Sequence, residues 1–284
     1  MMRSCMRRRR LDLALVLALI AIGGGVAAHR IFVVTGFGSD WHMGTYGSDS
    51  FRLSVMLAAG NEFAEPASID AEPGLRAFLY QDMVTWQPEG GINVLGAVPT
   101  QGERQILYYL YQTIALLWRI FGFSWNVYKG FLVVLFCLTL PLVYALFRQV
   151  MHPLLSLAGT LYFLFSPRVL EMLPNLRDFS KAPFLFAAVL ILVALARRPV
   201  RRSAFYGLAV LLGAVAGIGI GFRTDMMLCM PAGILVLLAC RRPRGRRASV
   251  QRACAVALLA AAFVITGWPI LRVTYERGSL SSLH

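Results

Sequence analysis

Long runs of apolar residues, separated by polar segments, are the main feature of this chain. The first run covers residues 11–34, and a long polar segment, residues 35–124, follows it. Six further apolar runs come after that segment, at residues 126–147, 154–165, 182–196, 203–222, 226–240 and 253–271. A helix needs about 20 apolar residues to cross the hydrocarbon core of a bilayer. The pattern predicts an all-α, polytopic membrane protein with about seven transmembrane helices and two juxtamembrane helices in the long loop.

The first apolar run has two interpretations. Residues 25–29, Gly-Val-Ala-Ala-His, resemble the small-residue cleavage site of a signal peptide. Apolar character resumes at residues 31–34, however, which favours an uncleaved anchor. The chain then divides into a basic N-terminus with the first transmembrane helix (1–34), a long loop with juxtamembrane helices (35–125), a six-helix bundle (126–271) and a tail (272–284).

The positions of the basic residues orient this arrangement. Many of the 28 Lys and Arg residues lie in residues 3–10, 197–202 and 241–252 and at Arg148, beside apolar runs. Such an excess is typical of cytoplasmic loops. We therefore predict a multi-pass protein of the cell inner membrane, with a cytoplasmic N-terminus and the long loop at the outer face. Because no basic soluble domain remains, we expect no nucleic-acid partner despite the formal net charge of +14.

Cysteine and histidine residues give no sign of a metal site. The five cysteines form no CxxC pair, and the four histidines are scattered along the chain. Structural metal sites and disulfide frameworks need closely spaced ligands. These residue types therefore predict no protein-bound metal.

Residues 105–121 are also apolar, and whether they cross the membrane decides the topology. If residues 197–202 are cytoplasmic, an even number of crossings separates them from the N-terminus, and the runs that begin at 11, 126, 154 and 182 supply four. On a helix, Gln105, Tyr108, Gln112 and Arg119 fall within about 60° of one another. Both arguments favour an amphipathic helix on the outer membrane surface. The alternative is a tilted helix that spans the bilayer.

Basic residues in the short outer loops oppose the positive-inside bias and need another explanation. Arg177 and Lys181 are i,i+4 neighbours, and Arg223 lies in the next outer loop. A phosphate at the outer membrane surface would account for all three. The alternative is internal ion pairing, of Asp178 with Lys181 or Arg177 and of Arg223 with Asp225.

An acidic residue in the long loop is a candidate general base. Ser48 is suited to cap a short helix running to about Ala59, which would place Asp49 in its first turn. A carboxylate there is stabilised as an anion and is able to accept a proton from an acceptor hydroxyl. The alternative is that Asp49 only caps the helix and pairs with Arg52.

Three segments carry recognisable motifs. The first is the stretch from Asp49 through an aromatic and leucine-rich helix to Gly60-x-x-Phe63. The second, residues 106–122, ends in Trp-Arg-Ile-Phe-Gly, and the third, residues 161–181, has Ser-Pro followed by Arg177-Asp178. Together they resemble the GT-C superfamily of membrane glycosyltransferases, including the N-terminal module of its mannosyltransferase-like members. The second segment is similar to that family's second juxtamembrane helix, and the third to its next outer loop.

The resemblance implies a function and a set of site residues. Members transfer a sugar, with inversion, from a polyprenyl-phosphate donor to a glycan, lipid or protein acceptor. By this resemblance Asp49 is the catalytic base, and the phosphate already expected at Arg177, Lys181 and Arg223 is that of the donor. Asp40, Asp178 and Asp225 are supporting residues: Asp40 takes the place of the paired acid that many members have where this chain has Ser48, and Asp178 orients a base or helps to bind a divalent metal if one is used. Members usually continue with further helices or a soluble domain, so we expect a longer natural protein.

The main rival is a non-enzymatic lipid-linked glycan transporter or assembly subunit, in which intramembrane charges would mark a pathway. No inverted repeat is visible, which weakens the transporter alternative. Gly213, Gly217 and Gly221 form a repeated GxxxG pattern, which predicts close helix packing rather than a nucleotide-binding loop.

Overall fold

A computed structural model describes residues 2–34, 51–61, 63–70, 73–88, 96–99, 107–197, 201–239 and 246–276; the side chains of residues 2–9, 97, 99, 177, 246–248, 273, 274 and 276 are not described. In chain order the elements are α1 (Met2–Ala28), a π-helix (His29–Val34), α2 (Arg52–Ala58), β1 (Ala64–Pro66), α3 (Leu75–Leu79), β2 (Thr85–Trp86), β3 (Ala97–Pro99), α4 (Tyr108–Phe121), β4 (Phe123–Ser124), α5 (Trp125–Arg148), α6 (Pro153–Leu164), α7 (Pro167–Met172), α8 (Leu176–Phe179), α9 (Ala182–Arg197), α10 (Arg202–Ile220), a 3-10 helix (Thr224–Leu228), α11 (Cys229–Ala239) and α12 (Arg246–Glu276).

The predicted all-α membrane protein is confirmed at the level of fold class. Within the described residues, four helical segments are long and apolar enough to cross a bilayer: Arg10–Val34, Trp125–Arg148, Arg202–Ile220 and Ser249–Arg272, with mean hydropathy between 2.0 and 2.5. Pro153–Leu164, Ala182–Arg197 and Thr224–Ala239 are apolar but shorter. These seven segments coincide with the seven predicted runs. Because three are short, the number of crossings stays a prediction.

Helices α1 and α5 pack antiparallel although the long loop separates them in sequence. Near one end of the pair, Arg148 donates from Nε to the Asp12 carboxylate at 2.9 Å. Near the other end, the Lys129 ammonium lies 5.7 Å from the centre of the Phe32 ring. We call the end with Asp12 and Arg148 the basic end, and the end with Phe32 and Lys129 the loop end.

Helices α10 and α12 pack in parallel through the glycines of α10. The contacts follow the same order along both helices: Gly213 faces Leu259, Gly217 faces Phe263 and Gly221 faces Ile270. A Cβ atom on Gly217 would lie 2.6 Å from the Phe263 carbonyl oxygen, so only glycine allows this approach. The GxxxG pattern is therefore a helix-packing surface, as predicted.

Helix α4 lies along the loop end of the bundle. At its start, the Leu110 N–H donates to the carbonyl of Gly221 at the end of α10 (3.2 Å). At its other end, Trp118 Nε1 donates to the carbonyl of Ser124, just before α5 (3.0 Å). Both ends of α4 thus touch the same end of the bundle.

The exposed side of α4 is divided into a polar and an apolar part. Tyr108, Gln112 and Arg119 lie on one stripe, as expected, and Gln112 Nε2 donates to the Tyr108 hydroxyl at 3.3 Å. Beside that stripe, Leu116 and Ile120 are 58% and 61% exposed. An apolar strip of this kind next to polar residues is typical of a helix at a membrane interface.

An aromatic cluster joins the long loop to the bundle. Phe51 packs with ring centres 5.5 Å from both Trp125 and Tyr128 of α5. Phe78 of α3 stacks on Trp125 at 5.2 Å and accepts a hydrogen bond from its indole N–H at 2.8 Å. Pairings of β1 with β3 and of β2 with β4 close the loop into a small subdomain. This cluster was not predicted from the sequence.

Helix α2 begins later than predicted. Phe51, not Ser48, is its N-cap residue, and no side chain caps it. Phe51 is 4% exposed, and its burial among aromatic rings fixes where the chain enters the helix. The end agrees with the prediction, because Gly60 adopts φ +88° and Asn61 N–H donates to the Met56 carbonyl at 3.0 Å, which is a Schellman motif.

Candidate functional site

Four charged side chains meet at the loop end, and we call them the charged cluster. Asp178 lies in α8, Lys181 follows it, Arg223 follows α10 and Asp225 lies in the 3-10 helix. Lys181 Nζ forms an ion pair with Asp225 Oδ2, and Arg223 Nη1 forms one with Asp178 Oδ1. Arg223 Nε lies 3.5 Å from Asp225 Oδ2, which links the two pairs into one network.

Buried neighbours hold the two sides of the cluster in place. Leu176 and Phe179 of α8 are 1% and 4% exposed, and their burial turns Asp178 away from the core. The Asn175 side chain amide donates to Asp178 Oδ2 at 2.6 Å, which leaves Oδ1 for the arginine. On the facing side, Met226 is 1% exposed and anchors the 3-10 helix between Arg223 and the bundle.

The cluster is electrically balanced and open to solvent. The four side chains are between 24% and 39% exposed, and two cations face two carboxylates. Each pair is therefore worth little to stability, roughly 0.2–1 kcal/mol, as is usual for solvated ion pairs. An incoming anion would have to compete with carboxylates that are already in contact with the bases.

The observed partners differ from those considered in the sequence analysis. Lys181, the expected i,i+3 partner of Asp178, pairs with Asp225 instead. Asp178 pairs with Arg223, which was expected to pair with Asp225 and contacts it only at the longer distance. Internal pairing does occur among the described side chains: the two closest pairs join the loop before α9 to the turn after α10, and the longer Arg223–Asp225 contact lies within one loop.

Other predicted site residues lie outside the described part of the chain. The side chain of Arg177 and the whole of Asp40 and Asp49 are among them. Phe51 is the first described residue after Asp49, and it contacts Tyr128, which makes a hydrogen bond with the backbone of Leu176. The described chain that follows Asp49 and the helix that carries Asp178 therefore meet at one tyrosine.

Two charged features of the bundle were missed from the sequence. Lys129 is 2% exposed and lies within Trp125–Arg148, a segment long and apolar enough to span a membrane. Asp12, inside the first apolar run, accepts hydrogen bonds from Arg148 and from the Tyr144 hydroxyl (2.7 Å). In both cases a single charge inside an apolar run was the available signal, and intramembrane charges are rare enough to be informative.

A metal site is not formed by the described part of the chain: it contains no group of three or more His, Cys, Asp or Glu side chains placed to hold an ion. The hydroxyl of Tyr109 on α4 has a perturbed pKa. Burial raises the pKa of its hydroxyl, and the neighbouring Tyr108 raises that pKa further. The hydroxyl therefore stays protonated at neutral pH and donates to the Thr266 carbonyl of α12.

Comparison with known proteins gives no relative: no family model, no curated protein and no solved structure matches this chain. The fold and the candidate site thus define a class, a helical membrane protein with a folded loop subdomain and a charged cluster at the same end of its bundle.

Proposed function

We propose that this protein is a membrane glycosyltransferase of the GT-C type. It transfers a sugar from a polyprenyl-phosphate donor to a glycan, lipid or protein acceptor at the outer face of the cell inner membrane. In this proposal the N-terminus is cytoplasmic, seven segments cross the bilayer and the loop end is the outer end. The basic end supports this orientation, since Arg148 and Arg197 both lie there, Arg197 donating to the Gln149 carbonyl.

The observation that carries the proposal is the meeting of loop subdomain, surface helix and charged cluster at one end of the bundle. Helix α4 presents an apolar strip at that end, suited to the membrane interface where a polyprenyl phosphate has its headgroup. The aromatic cluster links Phe51 through Tyr128 to Leu176. Asp49 comes two positions before Phe51. Because two extended residues span at most about 7 Å, the Cα atom of the proposed base is within that distance of the Cα atom of Phe51.

The proposed mechanism uses the cluster as an exchangeable anion site. Arg223 and Lys181, together with Arg177, bind the donor phosphate by releasing contacts with Asp178 and Asp225. Asp49 accepts the proton of the acceptor hydroxyl as its oxygen bonds to the anomeric carbon. The bond from that carbon to the phosphate oxygen breaks on the opposite face, so configuration inverts and polyprenyl phosphate leaves. Asp40 supports Asp49, and Asp178 and Asp225 hold the bases between turnovers.

Asp49→Asn tests the proposal most directly, because it keeps the shape of the side chain and removes the base. Purified protein in liposomes is given a radiolabelled polyprenyl-phosphate sugar and a membrane extract as acceptor source, and sugar transfer is measured. We expect the unaltered protein to transfer and the variant to be slower by roughly 10²–10⁴-fold, the usual worth of a general base. Undiminished transfer by the variant would remove Asp49 from the mechanism, and no transfer by the unaltered protein would count against the enzyme.

A lipid-linked glycan transporter is the second candidate, and the buried intramembrane Lys129 is the observation that favours it. A transporter would move the labelled lipid across a liposome membrane without breaking the sugar–phosphate bond. The same liposomes therefore separate the two functions, because only a transferase releases polyprenyl phosphate.

A further inference from the structure

Lys129 occupies a position where the pattern of α5 calls for an apolar residue. The buried side of this helix carries Trp125, Leu132, Phe136 and Leu140, and at 100° per residue Lys129 falls in the middle of that stripe. The residue is 2% exposed, among side chains of the hydrophobic core. A charge inside a membrane-spanning helix costs several kcal/mol. Such a break of the local pattern is expected at functional sites.

The ammonium of Lys129 is directed toward the loop end. Side chains on a helix lean toward its N-terminus, and α5 begins at the loop end with Trp125. Lys129 is one helical turn further in, so its long side chain brings the ammonium back toward the end of the span. The ammonium therefore lies near the loop end of the span while the side chain itself stays buried.

A π-helix lies beside this ammonium. Residues His29–Val34 form it at the end of α1, and the Phe32 ring lies 5.7 Å from Lys129 Nζ. π-helical turns are rare overall, and those that occur are often found at functional sites. Phe32, Val33 and Val34 are 41%, 66% and 53% exposed, so an apolar surface borders the ammonium. The ring is not the only interaction of Lys129, and a bound anion would compete with the others.

We infer that Lys129 binds the phosphate of a lipid at the junction of α1 and α5, with the lipid chain lying along Phe32, Val33 and Val34. Phe32 covers the ammonium, and rotation of its side chain opens the site from the bilayer. A lipid is the ligand that joins both halves of this site, because it brings an anion and an apolar chain together from the membrane side. The choice of a polyprenyl phosphate as the lipid rests on the proposed function, but the anion site does not.

Binding to purified protein in detergent tests this site. The probes are a short-chain polyprenyl phosphate, the matching alcohol and inorganic phosphate. The proteins are the unaltered chain, Lys129→Met, Lys129→Arg and, as a control base outside both proposed phosphate sites, Arg76→Gln, whose side chain is exposed and pairs with Asp70. We expect Lys129→Met to weaken binding of the lipid phosphate by about tenfold to a hundredfold, the loss of one charge-assisted contact. Lys129→Arg should retain part of the binding, and binding of the alcohol should not change. Equal binding of the lipid phosphate by Lys129→Met would overturn the inference, and competition by inorganic phosphate equal to that of the lipid would overturn the lipid assignment.

A second measurement needs no folded Lys129 variant. An amine-reactive reagent that enters the bilayer labels the unaltered protein, and mass spectrometry follows modification of Lys129. The polyprenyl phosphate should slow this modification and the alcohol should not, whereas Phe32→Ala should speed it by uncovering the ammonium. Equal rates with both lipids would overturn the inference. If Lys129→Met transfers sugar as well as the unaltered protein, the proposed glycosyltransferase stands and the Lys129 site has no part in it. If the unaltered protein binds the lipid phosphate at Lys129 but transfers no sugar, the site stands and the glycosyltransferase does not.

Discussion

Arg223 donates from Nη1 to the carboxylate of Asp178, a residue 45 positions earlier in the chain. This contact joins the loop before α9 to the turn after α10, and the pair of Lys181 with Asp225 joins the same two segments. The two bases are thus shared between a structural role, connecting two loops, and the proposed role, binding a phosphate. These roles predict different results when acids and bases are removed separately.

The charged cluster gives the first prediction. If Arg223 and Lys181 bind the donor phosphate, Arg223→Gln and Lys181→Gln should each weaken binding of a polyprenyl phosphate by about tenfold to a hundredfold. Asp178→Asn and Asp225→Asn should leave binding unchanged or tighten it, since they release the bases from competing carboxylates. Isothermal titration in detergent, with the alcohol as control ligand, measures both.

A purely structural cluster would behave differently. All four single variants would then lower the thermal stability slightly, and the double variant of Arg223 and Asp178 would lose no more than either single variant. The coupling between the pair would be about 0.2–1 kcal/mol. Equal binding of phosphate and alcohol by the unaltered protein would count against any phosphate site at this end.

Topology gives the second prediction. In a chain with its five cysteines replaced by alanine, Asp70→Cys should react with a membrane-impermeant thiol reagent added outside intact cells. Val150→Cys, just after α5 at the basic end, should react only after the membrane is opened. Both positions are exposed, at 63% for the Asp70 side chain and 60% for Val150, so access to the reagent depends on the side of the membrane. Outside labelling of Val150→Cys would reverse the assigned orientation.

Much of the bundle was predictable because it depends on local pattern. Helix α5 was expected at residues 126–147 and is Trp125–Arg148, an error of one residue at each end. The start was readable in principle, since the Ser124 side chain accepts from the Asn126 N–H and so caps the helix. The GxxxG surface was also predictable, because its spacing alone puts the glycines on one side of α10.

The charged cluster was only partly predictable, for a physical reason. The sequence shows which bases lie in the short loops between apolar runs, but the partner of each base depends on which loops pack together. Asp178 meets Arg223 because α8 and the 3-10 helix are both anchored by buried residues, Phe179 and Met226. The start of α2 was missed for a similar reason: capping preference favoured Ser48, whereas tertiary burial of Phe51 decides the observed start.

Helix α4 gives the third prediction, on its position in the membrane interface. Single cysteines at Ile120 and Arg119, about 100° apart on α4 and on its apolar and polar sides, carry a fluorescent label in protein reconstituted into liposomes. We expect the label at 120 to be quenched by spin-labelled lipids and the label at 119 by an aqueous quencher, because the strip of Leu116 and Ile120 faces the acyl chains. Quenching of both labels by lipid alone would instead indicate that α4 is immersed and favour the spanning alternative.

The packing of α10 against α12 gives the last prediction, and the chain offers a matched control for it. A Cβ on Gly217 would lie 2.6 Å from the Phe263 carbonyl oxygen, and the backbone of α12 is not free to yield as a flexible side chain would. Gly217→Ala should therefore force the helices apart and lower the free energy of unfolding by about 1–3 kcal/mol, as overpacking does.

Gly207 lies in the same helix, and a Cβ added there would meet no neighbouring atom within 4 Å. Gly207→Ala should therefore be neutral or slightly stabilising, through the better helix propensity of alanine. Unfolding in mixed micelles, followed by circular dichroism, compares the two variants. Because Gly221 at the end of the same surface accepts the hydrogen bond from Leu110 of α4, displacement of α10 should also loosen α4 from the loop end. Equal stability of Gly217→Ala and Gly207→Ala would show that the two helices are not in the close contact described for them.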